Sequence, residues 1–188
     1  MKKKLFVLAL IAICLSITAY GTMAYFTYED TATNIISAGS IQIAVREWSE
    51  DAEGEREPFE NVIHVLPGTA VSKIVEIENI GLNAAWIRVS AEKAIELAGG
   101  EEGQVDLSLV TFDLNTEFWT EQDGYYYYNQ ALQPGETTAP LFTQVAFSLE
   151  MGNLYQNSTA TVTIAAQATQ VAHNGQTVFE ATLWPVSE

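Results

Sequence analysis

The stretch Phe118-Trp119-Thr120-Glu121-Gln122-Asp123-Gly124-Tyr125-Tyr126-Tyr127-Tyr128 decides the fold class. Aromatic side chains suit a pleated, half-buried surface, and a polar turn ending in Asp-Gly supplies the positive φ that a tight hairpin needs. Successive side chains of a strand point to opposite faces, so Tyr125 and Tyr127 face one way and Tyr126 and Tyr128 the other. Half of these rings are expected to fill a core and the rest to cover its face.

Working toward the C-terminus, Gln133-Pro134-Gly135-Glu136 reads as a turn. Residues 141–149 and 159–171 read as long strands, the second with Val162 and Ile164 inward among small Ala and Thr. Asn174-Gly175 is the best two-residue hairpin signal in the chain and predicts a further strand over 178–184, halted by Pro185.

Toward the N-terminus, residues 105–114 alternate with a change of register between Leu109 and Val110, which predicts a bulge. Residues 91–97 have helical composition and end at Gly99-Gly100, so a short helix is expected there. Residues 71–80 and 84–92 read as a hairpin through Ile80-Gly81-Leu82-Asn83. Residues 61–66 form a short strand ended by a Pro67-Gly68 turn, and Ile41, Ile43 and Val45 alternate with polar or small residues as a half-buried strand requires. Between these two strands, residues 47–60 carry seven acids with Gly54 and Pro58 and no periodicity, the pattern of an exposed loop. About nine or ten strands with turns every 8–15 residues or so predict an all-β fold, an antiparallel β-sandwich of Greek-key or jelly-roll type.

The N-terminus has the order of a secretory signal. Lys2, Lys3 and Lys4 precede an apolar run over about 5–19, and Thr22 and Ala24 occupy the −3 and −1 positions of a signal-peptidase site. Cleavage before Tyr25 makes 1–24 a signal peptide and 25–188 a single mature domain. The alternative is an uncleaved membrane anchor, for which the run is slightly short. The sequence holds one cysteine, Cys14, inside this run and preceded by bulky Ile13, so it reads as an apolar signal residue rather than a lipidation site. The mature chain therefore has no disulfide to staple it.

The whole chain has 24 acidic and 8 basic residues, a formal charge of −16. Without the three signal lysines the charge is about −19, which disfavours nucleic acid and anionic membrane, leaving membrane contact to the uncleaved signal. The acids are scattered without a calcium-loop pattern, and the two histidines, His64 and His173, stand alone rather than one helical turn apart. There is no G-x-S-x-G elbow, no mature thiol and no phosphate-cradling glycine loop. No catalytic residue, metal or cofactor is expected.

Gly21-Thr22-Met23-Ala24-Tyr25-Phe26-Thr27, then Thr31-Ala32-Thr33-Asn34 and Ser37-Ala38-Gly39, resemble the N-terminus of the TasA/camelysin family of secreted biofilm-matrix proteins of Gram-positive bacteria. Leu66-Pro67-Gly68, 132–138 and 165–184 extend the resemblance over most of the chain. It implies a jelly roll, export through a signal peptidase of SipW type, and location in the extracellular matrix or at the cell surface. It also implies fibres made by donor-strand exchange, with the chain itself or related matrix subunits as partners. Tyr25, Phe26, Thr27 and Tyr28, within a detached segment over 25–30, are the candidate donor strand. Camelysin relatives have been classed as peptidases, a reading that the isolated histidines do not support. The alternative from another class is a surface module binding carbohydrate or a host ligand through Trp119, Tyr126 and Tyr128.

Overall fold

The structure, a computed structural model, describes residues 41–60, 62–98 and 103–185. The expected signal peptide 1–24 and candidate donor segment 25–30, with Thr22, Ala24, Tyr25, Phe26, Thr27 and Tyr28, lie outside the described residues. Eleven strands run in the order Ile43–Glu50 (β1), Arg56–Pro58 (β2), Ile63–His64 (β3), Ala70–Ser72 (β4), Ile74–Asn79 (β5), Ala85–Glu96 (β6), Val110–Phe112 (β7), Trp119–Gln122 (β8), Tyr125–Tyr128 (β9), Gln144–Phe147 (β10) and Thr159–Gln170 (β11). They form three antiparallel sheets, ordered β2-β1-β5, β4-β10-β7 and β3-β11-β6-β9-β8. The fold is all-β, consistent with a β-sandwich.

The frame is the ladder of β6 and β11, paired over twelve positions from Glu96 with Thr159 to Ala85 with Gln170. Alternation puts Ala160, Val162, Ile164, Ala166 and Ala168 on the buried face of β11, while Thr161 and Thr163 are exposed. Ile87 and Val89 of β6 join them, and Ile43, Val75, Ile77, Phe142 and Val145 complete the core. Each fully buried Val, Ile or Phe contributes roughly 1.5–3 kcal/mol.

Two turns match their sequence signals. Gly68 has φ of 76°, as a Pro-Gly turn requires, and Asp123 and Gly124 have φ of 52° and 79°, the paired positive values of a type I′ hairpin. Five local expectations are corrected. The helix expected over 91–97 is the second half of β6, because Ala91 and Ile95 turn inward and the ladder with β11 outweighs a local preference worth tenths of a kcal/mol per residue. The segment 47–60 is a hairpin rather than a loop. The Asp51 carboxylate accepts the N–H groups of Glu53 and Glu55 at 3.0 and 2.8 Å, and Arg56 reaches Glu50 and Glu76, offsetting the repulsion among the acids.

The hairpin expected between 71–80 and 84–92 does not form. The chain breaks at Lys73, leaving β4 in one sheet and β5 in another, and β5 pairs with β1 while β6 pairs with β11 and β9. A buried corner at Asn79 redirects it: Nδ2 donates to the carbonyls of Asn83 and Leu132, both at 2.9 Å, and Oδ1 accepts from Gly81 N–H at 3.0 Å. At 105–114 the register change is made by a 3-10 turn, Leu107–Leu109, capped by Asp106, instead of a bulge.

The strand expected over 178–184 is also absent. Residues Val178–Glu180 form a 3-10 turn and the chain folds back irregularly. Buried Asn174 enforces this, donating to Thr169 Oγ1 and the Gln170 carbonyl, both at 3.0 Å, and accepting from Thr182 N–H at 3.0 Å. The tail covers the outer face of β6 and β11, which buries Trp86, Gln167 and Thr169 on the side that alternation alone would leave wet.

Candidate functional site: the aromatic hairpin and two strand edges

The hairpin β8–β9 divides its rings as the period of a strand requires. Trp119 and Tyr128 are 3% and 7% exposed, stand opposite each other in the ladder, and have ring centroids 5.0 Å apart. Trp119 Nε1 donates to the Ala139 carbonyl at 3.0 Å and the Tyr128 hydroxyl accepts from Ala139 N–H at 3.4 Å, so both polar tips are satisfied inside the protein. Tyr126 lies on the same core-facing side, half-buried. Burial raises the pKa of its hydroxyl, and the charge of Glu121 adds to the shift. Of the candidate ligand face, Trp119 and Tyr128 are thus buried in the core and Tyr126 packs half-buried against it.

The opposite side of the hairpin is filled by the protein itself. Tyr127 meets Phe179 and Trp184 at centroid distances of 5.6 and 5.9 Å. The Arg88 guanidinium lies 4.1 Å from the ring of Tyr125 and 4.6 Å from that of Trp184, and Nε donates to Gln167 Oε1 at 2.7 Å. This is an aromatic cage whose cation is its own arginine. Sequence reading missed it because Arg88, Gln167 and Trp184 are far apart in the chain. The indole N–H of buried Trp86, in the same cluster, has no hydrogen-bond partner among the described residues.

His64 is exposed on β3 opposite Thr159, and His173 follows β11 with φ of 59°. Among the described residues, no three His, Cys, Asp or Glu side chains are grouped to hold an ion, and no helix is long and apolar enough to cross a membrane.

The strand edges differ in how their main-chain groups are satisfied. Along the far side of β5, Asn79 N–H donates to the Glu136 carbonyl, Thr138 N–H to that of Ile77, Leu141 N–H to that of Val75 and Val75 N–H to that of Phe142, at 2.8–3.2 Å. The Thr138 hydroxyl accepts the remaining Ile77 N–H at 3.0 Å. That edge is sealed by residues 136–143.

Along the far side of β11, pairing with β3 stops after Thr159 and Ala160. The Ser158 carbonyl accepts from Val65 N–H on that side, at 2.9 Å. By alternation, Val162, Ile164, Ala166 and Ala168 also direct their N–H and C=O groups away from β6, where no strand lies beside them among the described residues. β1 packs beside β11. Ile41, just before β1, lines a cavity of about 260 Å³ together with Ala168, Gln170, Leu183, Trp184 and Pro185. Among the described residues this edge has no strand partner beyond β3, and main-chain groups so placed can pair with an extended segment. Compared with known proteins, the chain matches no family model, no curated protein and no solved structure.

Proposed function

We propose that the protein is an exported structural subunit of an extracellular matrix. In this reading, copies join when Tyr25-Phe26-Thr27-Tyr28 of one adds as a strand to the open edge of β11 in the next. The observation that supports it is that edge, a long strand with Val162, Ile164, Ala166 and Ala168 lacking a neighbouring strand among the described residues. Aromatic and β-branched residues favour an extended strand, so the N-terminal tetrapeptide has the composition for the role. A donor that leaves one copy and enters another makes a heterologous contact, which generates a filament rather than a closed dimer.

Cleavage after Ala24 by a signal peptidase of the SipW type frees the donor, so assembly waits for export. The jelly-roll form of the sandwich belongs to the same reading, carried by the resemblance to TasA. The strongly acidic composition keeps subunits soluble and mutually repelling until the strand docks.

Electron microscopy and size-exclusion chromatography of residues 25–188 and 31–188, at matched concentration, test the proposal. Filaments from the longer form and monomers from the shorter are expected. Because the mature sequence has no cysteine, mixing a Thr27→Cys copy with an Ala165→Cys copy is expected to give a cross-linked dimer under oxidation. Monomers from both lengths, or filaments from both, sink the reading.

A further inference from the structure

Lys73 stands at the break between β4 and β5 with its side chain fully buried, at 0% exposure. Lysines are almost never buried to this degree without a partner. Its Nζ contacts Glu47 Oε1, whose side chain is 11% exposed, and lies 3.9 Å from the centre of the Phe59 ring. Among the described residues Glu47 is the one hydrogen-bond acceptor of this ammonium. Burial lowers the lysine pKa from its ordinary value, with the charge and hydrogen bond of Glu47 opposing the shift.

Both backbones are fixed where these side chains leave them. Lys73 N–H donates to the Thr143 carbonyl at 2.9 Å and the Glu47 carbonyl accepts from Phe59 N–H at 3.1 Å, while Glu47 pairs with Val75 and Trp48 with Ile74 in the β1–β5 ladder. An amine and a carboxyl held in contact, with a ring on one side and little water, have a very high effective concentration toward each other. Keeping both as ions out of water is costly.

We propose that Lys73 and Glu47 become joined in the folded protein by an intramolecular amide bond between Nζ and Cδ. A proton passes from the ammonium to the carboxylate, giving a neutral amine and a carboxylic acid. The nitrogen lone pair attacks Cδ, the C–OH bond breaks, and the hydroxyl leaves with a second nitrogen proton as one water. The net change is ammonium plus carboxylate to amide plus water, with no oxidant or reductant. The bond ties β1 to the β4–β5 junction and so links two of the three sheets. It gives a cysteine-free mature domain a covalent staple, and it does not depend on polymerisation.

Intact-mass measurement of the purified exported protein, followed by tryptic mapping, tests the proposal. The expected mass is one water below that of the mature sequence, with no cleavage after Lys73 and peptide 47–56 joined to peptide 57–88. Lys73→Arg, which preserves the charge but not the nucleophile, is expected to restore the full mass. A wild-type mass equal to that of the sequence overturns the proposal and leaves an ion pair. So does a water loss that maps to Asp123-Gly124, where a succinimide forms with the same mass change.

Discussion

The far edges of β5 and β11 differ in how their main-chain groups are satisfied among the described residues. Along β5, residues 136–143 take up the main-chain groups one after another, and where the ladder lacks an acceptor the Thr138 hydroxyl provides it. Along β11, pairing ends after two residues of β3 and the rest of the edge meets no strand among the described residues. Proteins usually shield a long edge with charge, proline, a bulge or a covering segment, because unpaired N–H and C=O groups template association. β5 is shielded in this way; β11 has Val162, Ile164, Ala166 and Ala168 along the corresponding side, without a covering strand among the described residues. The proposed strand exchange uses the edge that has no strand partner among the described residues beyond β3.

The largest effect is expected from removing residues 25–30. Filaments should vanish while the circular-dichroism spectrum of the domain is unchanged, since none of the described core residues is touched. Loss of the fold in that variant would make the segment part of the subunit's own core and break the comparison.

Asn79→Ala strikes the corner that brings β5 to its sealing segment. It leaves the carbonyls of Asn83 and Leu132 and the N–H of Gly81 without their side-chain partner, and a loss of roughly 2–4 kcal/mol is expected in denaturant unfolding.

Thr138→Val keeps shape but strands the buried Ile77 N–H, at an expected cost of about 1–3 kcal/mol. Filament formation should survive it. If Thr138→Val in the 31–188 form began to polymerise, the β5 edge would be as competent as that of β11, and the difference between them would lie only in their covering.

The smallest effect concerns pH. Asp106 caps the 3-10 turn Leu107–Leu109, and the hydroxyl and N–H of Ser108 hold its carboxyl below the ordinary value of 3.8. A carboxyl depressed in the fold stabilises above its unfolded pKa, and the benefit disappears as pH falls from there through the folded value. Asp106→Asn should therefore cost slightly at neutral pH, with the difference from wild type vanishing as pH falls below 3.8, as thermal melts across acid pH will show.

Strand character, the hairpin turn ending at Asp123-Gly124 and the division of the four tyrosines between two faces were legible because each depends on neighbours within a few positions. The fate of the rings was not. Alternation favoured core over a stacking platform for half of them without saying which, and in the fold Trp119 and Tyr128 are buried with Ala139 satisfying both polar tips. The Arg88 cage and the Lys73–Glu47 contact carry no local signal, since lysine and arginine in strands are ordinarily solvated.

Local patterning, acting through the two-residue period of a strand and the positive φ of glycine, established that this chain is all-β and which faces of its longest strands are apolar. Long-range contact chose the partners. Residues 91–97 became strand because β11 lay alongside, 178–184 did not because Asn174 turned the chain back, and 136–143 sealed β5 rather than β11. The reason is physical: a main-chain edge offers the same N–H and C=O groups whatever its sequence, so which edge is filled depends on where distant segments are anchored. Arg88 and Gln167, 79 positions apart yet hydrogen-bonded at 2.7 Å, show how far that choice lies from any local pattern.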